Sequence, residues 1–154
     1  PDVFVVFGAA KKNRRVYKLW EEGQPPRVVI ELSSRSTQTD DTGRKRALYQ
    51  ELGVQEYFLF DPLGEYLRPS LQGFSREDDL FVTLLPESLP DKEWKLTSHA
   101  LGLELHTVGS SLRLFDPQTG EYLRTPDEEA DARRALEEQL AALEAELARL
   151  RGRS

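Results

Sequence analysis

Val28-Val29-Ile30-Glu31-Leu32, then residues 40–52, then Val54-Gln55-Glu56-Tyr57-Phe58-Leu59-Phe60 are the segments on which the reading of this chain turns. The first is a short β-branched run, the pattern of a strand buried on both faces. The second reads as a helix and is closed by Gly53, where a C-cap glycine belongs. The third reads as another strand. Working outward, residues 3–7 form an apolar strand bounded by Gly8 and a polar stretch. Residues 17–22 are ambiguous and end at the breaker Gly23-Gln24-Pro25-Pro26, and residues 33–39 read as a polar loop. Downstream, Asp61-Pro62-Leu63-Gly64 is a turn, with residues 65–67 expected to return as a hairpin partner. Short β segments are expected at 81–85, 101–105 and 112–115.

Two further patterns stand out. Leu59-Phe60-Asp61-Pro62-Leu63-Gly64-Glu65-Tyr66-Leu67-Arg68 recurs, with one inserted residue, as Leu114-Phe115-Asp116-Pro117-Gln118-Thr119-Gly120-Glu121-Tyr122-Leu123-Arg124. Two occurrences point to a reused hairpin turn and not to a solenoid. The tail opens with Thr125-Pro126-Asp127-Glu128, an N-cap, a proline at the first helical position and a capping-box acid. From there Leu136, Leu140, Leu143, Leu147 and Leu150 repeat at alternating steps of four and three, the a/d seam of a coiled coil over about two heptads. Such a helix pairs with a copy of itself or packs back on its own domain. Self-association into a dimer is the expectation.

The chain has 154 residues, 38% of them hydrophobic and 31% charged, which suffices for one core. The longest apolar run falls far short of the roughly 20 residues of a membrane span, and no segment has the make-up of a signal peptide. A cytoplasmic protein without membrane contact is expected. The absence of cysteine removes disulfides, thiolate metal sites and cysteine nucleophiles together. Two histidines, His99 and His106, exclude a three-histidine zinc site. With no methionine, Pro1 is not a natural start, and an upstream segment is expected. The net charge of −6 argues at first against a nucleic-acid partner. Its distribution argues otherwise. Residues 1–46 hold ten Lys and Arg against six Asp and Glu, with the excess at Lys11, Lys12, Arg14, Arg15 and Lys18, then at Arg44, Lys45 and Arg46. A basic face can contact phosphates on an acidic protein, because screening confines surface charge to about 8–10 Å.

Three residues sit where a fold alone would not put them. Asp2 directly precedes an apolar strand. Glu31 interrupts a buried-looking one, where an ionised carboxylate is costly unless paired or bound to a cation. Lys45, at about 100° per residue, shares an angular position with Leu52, between Leu48 and Tyr49. Asp2 as the start of a strand, and a structural ion pair between Glu31 and Lys45 with Asp41 adding an i,i+4 contact to Lys45, account for them. So does chemistry. Two carboxylates supply hard oxygen ligands for Mg²⁺, and a nearby lysine orients or helps deprotonate a water and offsets charge on a phosphate.

Taken in order, Pro1-Asp2, Val28-Val29-Ile30-Glu31-Leu32-Ser33, Ser36-Thr37, Asp41-x-x-x-Lys45, Tyr49 and Gly53-Val54-Gln55-Glu56-Tyr57-Phe58-Leu59-Phe60-Asp61-Pro62 resemble the Uma-type restriction endonucleases, a bacterial branch of the PD-(D/E)xK nuclease superfamily. The resemblance implies an α/β (α+β) restriction-endonuclease-like core, a mixed sheet flanked by helices, over residues 1–124, with the Leu-heptad helix at 125–154. It implies metal-dependent cleavage of DNA, with Asp2 and Glu31 as catalytic, Mg²⁺-binding carboxylates (Mn²⁺ a possible substitute) and Lys45 as the catalytic lysine. The superfamily's usual lysine, two positions after the second acid, is replaced by Ser33. Lys45 matches the form in which that lysine has moved to the next helix. The common Ser-Pro-Ser-Thr segment reads Ser34-Arg35-Ser36-Thr37, without its proline.

Two other functions compete with the endonuclease. One is a non-catalytic protein that kept the nuclease fold and self-associates through its leucine-rich helix. The other is a hydrolase built on His99 or His106, which lacks a nucleophile motif.

Overall fold

The structure is a computed structural model that describes residues 1–10 and 15–151. It comprises two compact units, residues 1–121 and 122–154. The larger one is built on a mixed five-stranded sheet in the order β1-β2-β3-β4-β5. Its strands are β1 (Val3–Val5), β2 (Val28–Leu32), β3 (Glu56–Phe60), β4 (Leu71–Glu77) and β5 (Leu80–Leu84). Only β2 and β3 run parallel, and the other neighbours are antiparallel. A parallel pair needs a crossover of a dozen or more residues. The loop and helical stretch between Leu32 and Glu56 supply it.

That stretch begins earlier than expected, at residue 38. It runs through Gln38–Asp40, a π-helical turn at Asp41–Lys45, and an α-helix at Arg46–Glu51. Gly53, at φ 80°, follows in the left-handed conformation that favours glycine. Single π-turns inside helices recur at functional sites. Here the turn falls on the segment that bears Asp41 and Lys45.

Strand alternation divides the core. Val29, Tyr57, Leu59, Phe74 and Phe81 cluster with Tyr49 and Val54 on the helix side. Tyr57 lies 5.1 Å from Tyr49 and stacks at 6.1 and 6.2 Å on Phe74 and Phe81. Val28, Ile30, Phe58, Phe60 and Leu71 face the other way, against Leu96 and Leu105. Each such fully buried apolar side chain contributes about 1.5–3 kcal/mol. Leu96 and Leu105 belong to a second sheet, ordered β10-β9-β8-β7-β6. Its strands are β6 (Glu87–Ser88), β7 (Trp94–Ser98), β8 (Leu103–Val108), β9 (Ser111–Asp116) and β10 (Glu121–Tyr122). The two sheets meet closely at Gly73. A Cβ there would come within 2.8 Å of Leu96 and 2.9 Å of Phe58.

The expected α/β class with its mixed sheet holds, and β2 has the expected bounds. Other expectations need correction. The first strand stops at Val5, two residues early. Residues 65–67 form no strand, and the chain returns only at β4, because the Asp61 carboxylate holds the loop instead. Asp61 Oδ1 accepts the N–H groups of Leu63 and Gly64, both at 3.0 Å. Its Oδ2 accepts those of Tyr66 and Leu67 at 2.6 and 2.9 Å. Burial alone would raise the Asp61 pKa, but these four donors outweigh it and lower it. Leu48 and Leu52 are exposed and do not line an inward stripe. The inward seam is Asp41, Lys45 and Tyr49.

In the smaller unit, the helix Pro126–Arg151 starts at the expected capping box. Glu128 N donates to Thr125 Oγ1 at 3.2 Å, and Thr125 N donates to a Glu128 carboxylate oxygen at 2.8 Å. Within its own unit the leucine row at 136, 140, 143, 147 and 150 finds no cover.

Candidate active site

The carboxyl ends of β2 and β3 and the start of β1 meet at one edge of the first sheet. Antiparallel register pairs Val3 with Ile30, so one further step sets Asp2 across from Glu31. The Asp2 side chain folds back on β2, where Oδ2 accepts the Leu32 N–H at 2.7 Å. Its Oδ1 has no partner among the described residues.

Glu31 lies two positions after Val29 and therefore on the helix face. Its side chain is 3% exposed. Lys45 Nζ donates to Oε2 at 3.0 Å and Tyr49 Oη donates to Oε1 at 2.6 Å. The Pro1 nitrogen comes within 3.7 Å of Oε1. A carboxylate this deep is tolerated because both oxygens are satisfied by groups from one helix.

Lys45 has a second carboxylate. Its Nζ lies 2.8 Å from Oδ1 of Asp41, one helical turn earlier, as an ion pair without a directed hydrogen bond. Asp41 is fully buried. Its Oδ2 accepts the Ser33 hydroxyl at 2.9 Å, and its backbone oxygen accepts Tyr57 Oη at 3.0 Å. Burial by itself lowers the Lys45 pKa, but the Asp41 and Glu31 carboxylates more than compensate and raise it. Lys45 is therefore an ammonium at neutral pH. Burial, followed by the bond to Glu31, pushes the Tyr49 hydroxyl upward, and Asp2 adds to that push. Tyr49 is a proton-bearing donor that fixes Glu31.

The structure thus brings the three sequence-predicted residues to one place, with Asp2 at the strand edge and Lys45 directly on Glu31. Sequence reasoning gave Asp41 only an i,i+4 contact and gave Ser33 and Tyr49 no site role. The spacing 41, 45, 49 was the available signal. The basic cluster resolves unevenly. Lys11, Lys12 and Arg14 lie outside the described residues. Lys18 pairs with Glu21 at 2.8 Å, and Arg46 sits over the Phe74 ring at 4.4 Å, a cation–π contact. Neither is a free phosphate ligand. Arg44 is exposed. Beside the carboxylates, Leu32, Ser33, Ser34, Arg35, Ser36, Pro62, Leu63 and Tyr66 line an open cleft of about 700 Å³.

A sequence model of the family Uma2, described as "Putative restriction endonuclease", matches residues 1–148. The chain belongs to the Uma2 family. A comparison with curated proteins finds no match. Uma2 membership suggests a nuclease that binds DNA. Among the described residues no helix is long and apolar enough to cross a membrane.

The donor set bears on the metal that such a nuclease implies. Among the described residues, no three His, Asp or Glu side chains gather as a metal cage. Asp2 and Glu31 together fit Mg²⁺, which keeps several waters and takes one or two carboxylates plus substrate phosphate. The histidines stand apart in supporting roles. His106 Nε2 is 2.8 Å from Glu104, with its ring stacked on Phe115, and His99 offers its backbone N–H to Glu56.

Proposed function

We propose that this chain is a cytoplasmic, Mg²⁺-dependent DNA endonuclease that hydrolyses phosphodiester bonds, with Asp2 and Glu31 holding the ion and Lys45 assisting. The observation that supports it best is the balance of charge at the end of β2. Glu31 and Asp41 flank one ammonium, Lys45, and Asp2 stands across from Glu31 in the strand register, so carboxylate side chains outnumber the ammonium by three to one at this end of β2. Partial burial strengthens their pull on a divalent cation. The bound ion, or Mn²⁺ in its place, would polarise the phosphate and lower the pKa of a water.

The chain's own groups divide the remaining work. Tyr49 holds Glu31 in place through Oε1. Lys45, kept charged by two carboxylates, orients water and offsets charge developing on the phosphate oxygens; it does not take a proton. The cleft between residues 32–36 and 62–66 gives the flanking nucleotides a path, with Arg35 on its wall. Purified protein should nick supercoiled DNA in the presence of Mg²⁺. Glu31→Gln should lose on the order of 10³-fold in rate, several kcal/mol of transition-state stabilisation. Equal trace activity in the two proteins overturns the reading.

A second reading rests on the leucine row of the helix Pro126–Arg151, each member more than half exposed. A non-catalytic protein that self-associates through this seam would use the nuclease fold as a scaffold. In that case sedimentation should show a dimer for the full chain and a monomer for a chain ending at Thr125. An unchanged oligomeric state removes the helix as the assembly device.

A further inference from the structure

Asp41 is the most deeply buried charge of the site and the least explained by folding alone. It is fully buried, and one of its oxygens, Oδ1, receives no directed hydrogen bond. A purely structural aspartate at this depth would have its carboxylate satisfied by backbone donors, as Asp61 does with four N–H groups. Asp41 instead spends its free oxygen on the Lys45 ammonium at 2.8 Å, shorter than the 3.0 Å from Lys45 to Glu31. Its other oxygen is anchored by Ser33, and its backbone oxygen by Tyr57 of the neighbouring strand. The carboxylate is therefore immobile while the lysine it holds is 30% exposed toward solvent.

Resting on the nuclease reading, we propose that Asp41 is a positioning residue that holds Lys45 independently of Glu31, leaving Glu31 free to give an oxygen to a metal ion. Glu31 cannot serve both partners equally. An oxygen committed to a divalent cation is a poor acceptor for an ammonium, and like charges repel the lysine. Without a second anchor, Lys45 would swing out on its four-carbon stem, losing both place and contact. Asp41, one turn earlier on the same helix, keeps the ammonium beside the reacting phosphate. Ser33 acquires a reason as well. It stands two residues after Glu31, and its hydroxyl fixes the oxygen of Asp41 that Lys45 does not use.

The test needs a readout besides cleavage. The chain contains six lysines, so side-chain ¹⁵N labelling of lysine gives few ammonium signals, and loss of one in Lys45→Met assigns Lys45. In metal-free protein the Lys45 ammonium signal should be sharp, because ion pairing slows its hydrogen exchange. It should persist in Glu31→Gln and disappear in Asp41→Asn. The reverse pattern, or a signal retained in Asp41→Asn, overturns the proposal. If Asp41→Asn does not fold, Ser33→Ala serves instead: a broadened Lys45 signal supports the proposal and an unchanged one overturns it. Kinetics adds a second arm. Asp41→Asn should lower kcat by about 10²-fold with KM for DNA unchanged, as expected for a misplaced group. In a Lys45→Met background the same substitution should change nothing further, and an equal loss in both backgrounds overturns the proposal. A wild-type protein without cleavage would sink the nuclease reading alone, since the ammonium signal still decides the role of Asp41.

Discussion

Two glutamates, both 2% exposed, lie on the parallel pair β2 and β3, and they are held in opposite ways. Glu31 ends near the carboxyl edge of β2 and faces the helix. Glu56 begins β3 and faces the second sheet. Glu31 is held by side chains, a lysine and a tyrosine, beside further carboxylates. Glu56 is held by the corner between β7 and β8: the Ser98 hydroxyl, the His99 N–H at 2.8 Å and the Ala100 N–H at 3.1 Å. Neutral donors from a rigid turn make a structural clasp between sheets. An ammonium shared by two carboxylates is the arrangement on which the proposed chemistry rests. Burial alone does not distinguish a functional carboxylate from a structural one, whereas the nature of its partners does.

The sharpest way to break this contrast is to exchange the outcomes. Glu31→Gln is expected to abolish cleavage and leave the melting temperature nearly unchanged. Glu56→Ala should do the reverse, destabilising by about 3–5 kcal/mol because two backbone N–H groups and a hydroxyl lose their acceptor inside the protein. Thermal denaturation alongside a DNA-nicking assay reads both. A stable, inactive Glu56 variant would refute the division.

Asp61 extends the clasp type to a single loop, and it adds a pH signature. Its pKa is lowered in the folded protein, so its stabilisation is present above the unfolded value of about 3.9 and is lost as pH falls through the folded value. Asp61→Asn should therefore cost about 2 kcal/mol at pH 7 and flatten the fall in melting temperature below about pH 4. An acid profile identical to wild type would show that the four backbone bonds carry no charge-dependent stability. An effect of similar size is expected on the sheet-to-sheet face. Gly73→Ala should destabilise by about 1–3 kcal/mol through crowding of Leu96 and Phe58 and leave the activity per folded molecule intact.

The repeated Leu-Phe-Asp-Pro segments show how far local sequence reaches. Both copies turn, as expected. In the first, Asp61 is 1% exposed and gathers four N–H groups, so the chain delays its return until Leu71. In the second, Asp116 Oδ1 accepts only Gln118 N, at 2.8 Å, and the chain returns at once as β10. The strands β4 and β7 went unread for a related reason. Gly73 and the polar residues of Leu71–Glu77 look like loop until the second sheet packs against them. Likewise the helix face could not be read from Leu48 and Leu52, because the π-turn and the carboxylate of Glu31 set which side points inward.

Local chemistry determined β2 and its crossover helix, the capping box at Thr125 and Glu128, and the candidate set Asp2, Glu31 and Lys45, all through contacts of short range or residues out of place. Tertiary structure alone decided that Ser33 and Tyr57 anchor Asp41 and that Glu56 is a clasp. Ser98 meets Glu56 across 42 residues of chain. No period or propensity encodes a partner so distant, because the cost of burying a charge is settled only when packing brings its donors to it.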